Sequence, residues 1–106
     1  MSEYAFIYHG GNHPESESER AEVLQNWKLW METLKDGTVD AGNPVGMSKT
    51  VMSDGSIIDN GGSNPTCGYS VFSAKDMDDA LNKAKSCPHL NIGGSIEVAE
   101  VIHLEM

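Results

Sequence analysis

The 106-residue sequence has few positively charged side chains. Seven Lys and Arg residues stand against 16 Asp and Glu residues, so the formal net charge is −9. A surface with this charge repels phosphate backbones and anionic lipid headgroups. We therefore expect neither nucleic acid nor a membrane surface as a partner.

The sequence also lacks a long hydrophobic run. The longest apolar stretch covers about five residues, from Tyr4 to Tyr8, whereas a transmembrane helix needs about 20. The first residues, Met-Ser-Glu, carry neither the basic segment nor the apolar stretch of a secretory signal peptide. We expect no membrane span, no signal peptide and a cytoplasmic location.

Cysteine is scarce, and the two cysteines, Cys67 and Cys87, form no Cys-x-x-Cys motif. This spacing argues against a disulfide framework and against a thiolate zinc site. Both are interpreted as reduced structural thiols, because free cysteine usually behaves as a small buried apolar residue.

The four histidines are also widely spaced, and none forms a His-x-x-x-His or Glu-x-x-His motif on a helix: His9, His13, His89 and His103. We therefore expect no metal site and no cofactor. His89 follows Pro88 and is interpreted as an ordinary loop residue.

Apolar periodicity predicts two helices. The first begins near Pro14, or one turn later with Ser16 and Glu19 as a capping box, and ends at Gly37. Its apolar stripe includes Trp27 and Trp30, which could line an aromatic ligand site but are better explained by core or dimer packing. The second helix follows residue 73, with Ser73 as its predicted cap, and ends before Pro88.

Alternating apolar residues predict the strands, at residues 3–9, 38–41, 48–52, 68–73 and 95–104. Residues 42–44 are a predicted break, Asp54-Gly55 a turn, and residues 59–65 a loop. This order predicts a split βαβ plan with the first strand in the sheet centre, antiparallel to the strands that begin at residues 68 and 95. The fold class is thus α+β and ferredoxin-like, with both helices on one face of an antiparallel sheet in a single domain, 1–106.

A one-sided sheet leaves apolar side chains on its other face without a cover from the same chain. We therefore predict a homodimer.

Several stretches of the sequence resemble the YCII-related family, and the resemblance covers nearly the whole chain: residues 4–11, 27–31, 40–46, 68–69, 87–88 and 93–98. The resemblance implies a ferredoxin-like fold whose protomers pair sheet to sheet as a dimeric α/β barrel. It also implies an enzymatic role for members with a His–Asp pair in a cleft. The Asp-Gly-Pro-Phe motif of some relatives is replaced here by Asp-Asn-Gly-Gly at residues 59–62, and the first helix has no histidine, so no family dyad is assigned.

His9 is the strongest candidate for chemistry, because it ends the central strand and precedes Gly10 and Gly11. Antiparallel neighbours begin where that strand ends, which places Tyr69 and Glu97 near it. We predict that His9, Tyr69 and Glu97 line a cleft shared with the 59–65 loop. A histidine that only makes structural hydrogen bonds at a sheet edge is the alternative.

Five further residues are predicted to bind a ligand: Gly10, Gly11, Asn43, Lys49 and Asp59. Backbone N–H groups after the first strand and at the start of the first helix suit an anion, and Lys49 could meet a carboxylate. A small organic acid is therefore the expected ligand, although a solvent-exposed strand lysine explains Lys49 equally well.

Two function classes follow from these residues. The first is a small-molecule enzyme using general acid–base chemistry, with His9 as proton carrier, Glu97 orienting it and Tyr69 binding or donating a proton. The second is a non-catalytic ligand-binding or structural dimer module.

Overall fold

The computed structural model describes residues 1–105, so Met106, the last residue of the predicted domain, lies outside the described residues. The chain alternates strands and helices in the predicted order. The elements are β1 (Ser2–Gly10), α1 (Glu17–Thr33), a 3₁₀ helix (Lys35–Gly37), β2 (Thr38–Pro44), β3 (Thr50–Val51), β4 (Ile57–Ile58), β5 (Thr66–Ala74), α2 (Met77–Lys85), a second 3₁₀ helix (Pro88–Ile92) and β6 (Gly94–Glu100).

Four of the strands form one antiparallel sheet in the order β2-β5-β1-β6. β1 pairs with β5 on one side and β6 on the other, so that Ile7 lies between Tyr69 and Glu97. The predicted α+β, ferredoxin-like arrangement with β1 in the centre is confirmed. β3 and β4 form a separate two-stranded hairpin within the connection between β2 and β5.

The two faces of the sheet have different surroundings. Tyr4, Phe6 and Tyr8 of β1 are buried on the side covered by the helices, where Phe6 meets Phe72 edge-on at a centroid distance of 4.9 Å. Trp30 of α1 packs against both phenylalanine rings. The alternate residues of β1 point to the outer face and are half-buried. The hydrophobic core thus lies between the helices and one face of the sheet.

The helices begin at side-chain caps. Ser16 caps α1 by accepting a hydrogen bond from the Glu19 N–H at 3.1 Å, which confirms the capping-box alternative over a start at Pro14. The predicted Ser73 cap of α2 is wrong: Asp76 is the cap and accepts from the Asp79 N–H at 2.9 Å. β5 continues to Ala74, which keeps Ser73 within a strand. Among residues 1–105, no helix combines the length and apolar content needed to cross a bilayer.

β2 continues through residues 42–44, where a break was predicted. The pairing of β2 with β5 shifts twice along its length. Gly42 has a φ of 79°, and a Cβ at this position would lie 2.6 Å from the carbonyl carbon of Tyr69. Because no other residue fits this close backbone approach, the glycine that signals a break instead lets the strand stay paired.

The ends of two other predicted strands were wrong. The strand predicted at 48–52 contracts to Thr50–Val51, which pairs with Ile57–Ile58 around the predicted Asp54-Gly55 turn. The last strand ends at Glu100, although it was predicted to continue to Leu104. Glu100 pairs with Tyr4, so only the first few residues of β1 remain to pair with the chain beyond it.

Candidate functional site

A cavity of about 380 Å³ lies between α1 and the helix-covered face of the sheet. Its lining includes Tyr8, Trp27, Met31, Cys67, Tyr69 and His89. An apolar cavity of about 150 Å³ can hold benzene, so this space is large enough for a single ring with several substituents. It is also within the range typical of small-molecule sites.

Three aromatic side chains from three different elements form one wall. Tyr8 of β1 meets Trp27 of α1 edge-on, with ring centroids 5.2 Å apart and ring planes at 88°. His89, from the second 3₁₀ helix, packs against Tyr8 at 5.6 Å. Trp27 is half-buried and lines the cavity, whereas Trp30 is in the core. The two tryptophans therefore differ in role, although the sequence pattern grouped them together.

The hydroxyl of Tyr8 is part of a buried hydrogen-bond chain. It donates to Ser70 Oγ at 2.9 Å, and the Ser70 hydroxyl donates to the carbonyl oxygen of Ala41 at 2.8 Å. Burial raises the pKa of Tyr8 far above its ordinary value. Tyr8 is therefore a neutral phenol near pH 7, and its hydroxyl hydrogen is used in the hydrogen bond to Ser70.

His89 is a second buried titratable side chain of the cavity, with 5% of its surface exposed. Its Nε2 lies 2.8 Å from the carbonyl oxygen of His9. Because a carbonyl oxygen can only accept, Nε2 carries the hydrogen, and the lone pair of the neutral ring is on Nδ1. Nδ1 makes no hydrogen bond to residues 1–105, so it is free to accept a proton or a hydrogen bond.

Two glycines make room for the His89 ring. An ideal Cβ on Gly94 would lie 2.5 Å from Cε1 of the ring and closer still to Nε2, and one on Gly11 would lie 3.0 Å from Cε1. Gly94 pairs with Gly10 across the β1–β6 ladder, so two Gly-Gly pairs meet at this end of the sheet. His89 was not predicted as a site residue, although the two glycine pairs are a signal in the sequence that points to it.

Cys67 reaches the cavity through a β-bulge. The register of β1 and β5 slips between Tyr8 and His9, which leaves Cys67 without a partner across the ladder. Its Sγ donates to the carbonyl oxygen of Tyr8 at 3.3 Å and lies 3.9 Å from His89 Nε2. Burial raises the pKa of Cys67, so this side chain is a thiol rather than a reactive thiolate near neutral pH.

The predicted neighbours His9 and Glu97 are in contact. His9 Nε2 lies 3.1 Å from Glu97 Oε1, and its Nδ1 lies 3.0 Å from the carbonyl oxygen of Asn64 in the 59–65 loop. A ring with N–H groups on both nitrogens satisfies both acceptors at once. His9 and Glu97 lie on the outer face of the sheet, however, and do not line the cavity on the helix side.

Tyr69 is separated from this pair in its bonding. Tyr69 lies opposite Ile7, so its side chain is on the outer face with Glu97. Its hydroxyl accepts a hydrogen bond from Asn43 Nδ2 at 3.3 Å, and both residues also contribute to the cavity lining. Within residues 1–105, no hydrogen bond joins Tyr69 to His9 or Glu97. The structure thus brings together two predicted pairs, His9 with Glu97 and Asn43 with Tyr69.

The other predicted ligand-binding residues, Gly10, Gly11, Lys49 and Asp59, do not line the cavity, although Gly11 contacts the His89 ring. Lys49 and Asp59 form an ion pair of 2.9 Å, with 58% and 85% of their side chains exposed, and neither lines the cavity. Gly10 has open space around its Cα, and Gly11 contacts His89. Among residues 1–105, no group of three or more His, Cys, Asp or Glu side chains is placed to hold a metal ion.

The start of α1 already has its own acceptor groups. In addition to the Ser16 cap, Glu19 Oε2 accepts a hydrogen bond from the backbone N–H of Glu15 at 2.9 Å. The acidic side chains Glu17 and Glu19 occupy the first turn. An anionic ligand would meet negative charge at this helix end, so the predicted anion site has no support from these contacts.

Comparison with known proteins supports the fold. No family model matches the sequence, and no curated protein matches it significantly. The solved structure of 5-chloro-2-hydroxyhydroquinone dehydrochlorinase from Burkholderia phenoliruptrix, in complex with 2,5-dihydroxybenzoquinone, is similar with a TM-score of 0.56 and 18% identity. The similarity covers 93% of this chain and 94% of that chain. At this identity the likeness shows a shared fold and no more.

Proposed function

We propose that this protein is an enzyme that binds a small organic molecule in the cavity beside His89 and moves a proton to or from it. The observation that carries the proposal is the geometry of His89. A buried imidazole with one nitrogen hydrogen-bonded to a backbone carbonyl and the other unpartnered is oriented as a general base.

The contacts around His89 suit proton transfer. Nδ1 can accept a proton from a ligand hydroxyl or from an activated C–H group. The resulting imidazolium keeps its hydrogen bond from Nε2 to the His9 carbonyl oxygen, which stabilises the positive charge. Cys67 is disfavoured as a nucleophile because its pKa is raised by burial.

The structural neighbour supports the enzyme class. It shows that this fold can carry an enzyme, and its complex contains a small oxygenated ring compound. The cavity of this chain is large enough for a ligand of that size. Membership of the YCII-related family is part of the same proposal, supported by the motifs named above.

Base-catalysed exchange of ring hydrogens in resorcinol tests the proposal. Resorcinol exchanges ring C–H for C–D in D₂O after its hydroxyl is deprotonated, and proton NMR follows the loss of signal. We expect the protein to accelerate this exchange, and the acceleration to be lost in His89→Gln but kept in His9→Gln. Binding of resorcinol without acceleration would favour the non-catalytic binding module.

The pair of His9 and Glu97 is a second candidate acid–base site, favoured by its 3.1 Å contact. The opposite outcome of the same assay, loss in His9→Gln with activity kept in His89→Gln, would assign the chemistry to it. The structural alternative is that His9 simply ties the 59–65 loop to the sheet through its bond to the Asn64 carbonyl.

The homodimer belongs to the proposal as well. Ala5, Ile7 and Val71 are half-buried on the outer face, away from the helices, and a second copy of this face would cover them. Such a partner would also enclose the His9–Glu97 pair. A cytoplasmic location is consistent with this proposal, because Cys67 and Cys87 are both free thiols.

A further inference from the structure

We propose that the cavity selects an uncharged planar ring with a hydroxyl group and rejects the matching carboxylate. This inference rests on the proposed function, since it names the ligand class of the same cavity. This ligand class differs from the small organic acid that was expected from the sequence.

The side chains that line the cavity include no permanently charged group. The cavity wall contains no Lys, Arg, Asp or Glu side chain. The chain carries a net charge of −9, so the surrounding field also opposes an anion. The wall therefore offers an ionised carboxylate no permanent cation, and neutral His89 meets it with a lone pair. The carboxylate would lose water and could gain a cation only if His89 first took up a proton, which makes its transfer costly.

Most hydrogen-bond donors in the cavity wall already have an acceptor within the protein. The hydroxyls of Tyr8 and Ser70 and the thiol of Cys67 all donate to protein acceptors. The indole N–H of Trp27 makes no hydrogen bond to residues 1–105, so it is the free side-chain donor on this side of the sheet. A carboxylate needs several donors, and one is not enough.

The free Nδ1 of His89 has the opposite requirement. It is an acceptor, so it is satisfied by a ligand group that donates a hydrogen. A ligand hydroxyl does this without bringing a charge. Tyr8 and Trp27 also line the cavity, and aromatic side chains favour an aromatic ring, which can pack against them edge-to-face or in an offset stack.

A matched pair of ligands tests the inference. 4-Hydroxybenzamide and 4-hydroxybenzoate have nearly the same shape, but at pH 7 only the second is an anion. Binding is followed by ¹H–¹⁵N NMR, using the Trp27 indole N–H and the Gly42 and Gly68 amides as reporters of the cavity. We expect the amide to bind at least about tenfold more tightly than the acid.

A charge variant in the cavity wall makes the test specific. Met31→Lys replaces a lining side chain of α1 with a cation of similar length. It should reduce the difference in affinity between the two ligands by strengthening binding of the acid. Asn82→Lys makes the same charge change at an exposed position of α2 that does not line the cavity. We expect Asn82→Lys to leave the ratio of affinities unchanged.

The outcomes separate the two proposals. Equal or tighter binding of 4-hydroxybenzoate at the cavity reporters overturns charge selection but leaves the cavity as a ligand site. Binding of neither ligand, or shifts confined to other residues, overturns the cavity as a site and with it the proposed function. The wild-type comparison decides the question even where Met31→Lys does not fold.

Discussion

The contact between Gly94 and the His89 ring is the packing constraint that holds His89 in the cavity wall. In Gly94→Ala, the new Cβ would lie 2.5 Å from Cε1 of the ring, whereas carbon atoms in contact are normally about 3.5–4.0 Å apart. The ring would have to retreat by about 1 Å or more, which is enough to break the 2.8 Å hydrogen bond to the His9 carbonyl oxygen. The substitution should therefore release His89 from its fixed orientation.

Two costs add in this variant. Overpacking a filled site costs about 1–3 kcal/mol, and leaving a buried donor and acceptor unpaired costs about 1–3 kcal/mol. We expect the free energy of unfolding of Gly94→Ala to fall by at least about 2 kcal/mol, measured by urea denaturation. ¹⁵N chemical shifts of the His89 ring should also show loss of the single neutral tautomer with hydrogen on Nε2.

A control and a double variant make the prediction specific. Gly46→Ala adds the same methyl group where no atom lies within 4 Å, and should change stability by less than about 0.5 kcal/mol. In a His89→Ala background, Gly94→Ala should be far less destabilising, because the atoms that clash are gone. A Gly94→Ala variant as stable as Gly46→Ala would refute the reasoning about this contact.

Three further predictions follow from other contacts. Ile7→Lys places a charge on the outer face and should convert the proposed dimer to a monomer, as measured by light scattering. Leu24→Lys, at an exposed position of α1, should leave the mass unchanged. A monomeric wild-type protein would refute the proposed dimer. Iodoacetamide at pH 8 should label folded Cys67 slowly and Cys87 hardly at all, because the reagent reacts with the thiolate. Burial raises the pKa of Cys67 above its ordinary value and raises that of Cys87 to about 12, so little thiolate forms at pH 8. Rapid labelling of Cys87 would contradict its burial. His9→Gln removes the hydrogen bond from the ring to the Asn64 carbonyl oxygen, so amide hydrogen exchange in the 59–65 loop should become faster. Unchanged exchange would show that this hydrogen bond does not hold the loop in place.

The sheet order and the contact between His9 and Glu97 were predictable from the sequence. Alternation in residues 3–9 identified β1, and the right-handed crossover rule placed it between two antiparallel neighbours. In an antiparallel pair, residues near the end of one strand meet residues near the start of the other. The register then puts Glu97 opposite Ile7, one diagonal step from His9, which is within reach of a long side chain.

The path of β2 was not predictable, because its cause is a contact between distant backbone segments. Gly42 looked like a strand breaker when only its neighbours in sequence were considered. In the sheet it is the residue that lets β2 approach the Tyr69 carbonyl group. A local pattern cannot distinguish a glycine that ends a strand from one that permits close pairing.

The cavity was missed for a related reason: its polar groups come from positions with no local signature of function. His89 follows a proline in a short 3₁₀ helix, and only the missing Cβ atoms of Gly11 and Gly94 allow its ring to reach the His9 carbonyl oxygen. Cys67 would face the outer side in a regular strand, and the bulge redirects it to the cavity. Glycine pairs on adjacent strand ends were interpreted as turns, but each removes side-chain volume at the same place. When two such pairs face each other across a ladder, as at Gly10 and Gly94, another part of the chain has to fill the space that they leave. In this protein the His89 ring, from the neighbouring 3₁₀ helix, fills that space.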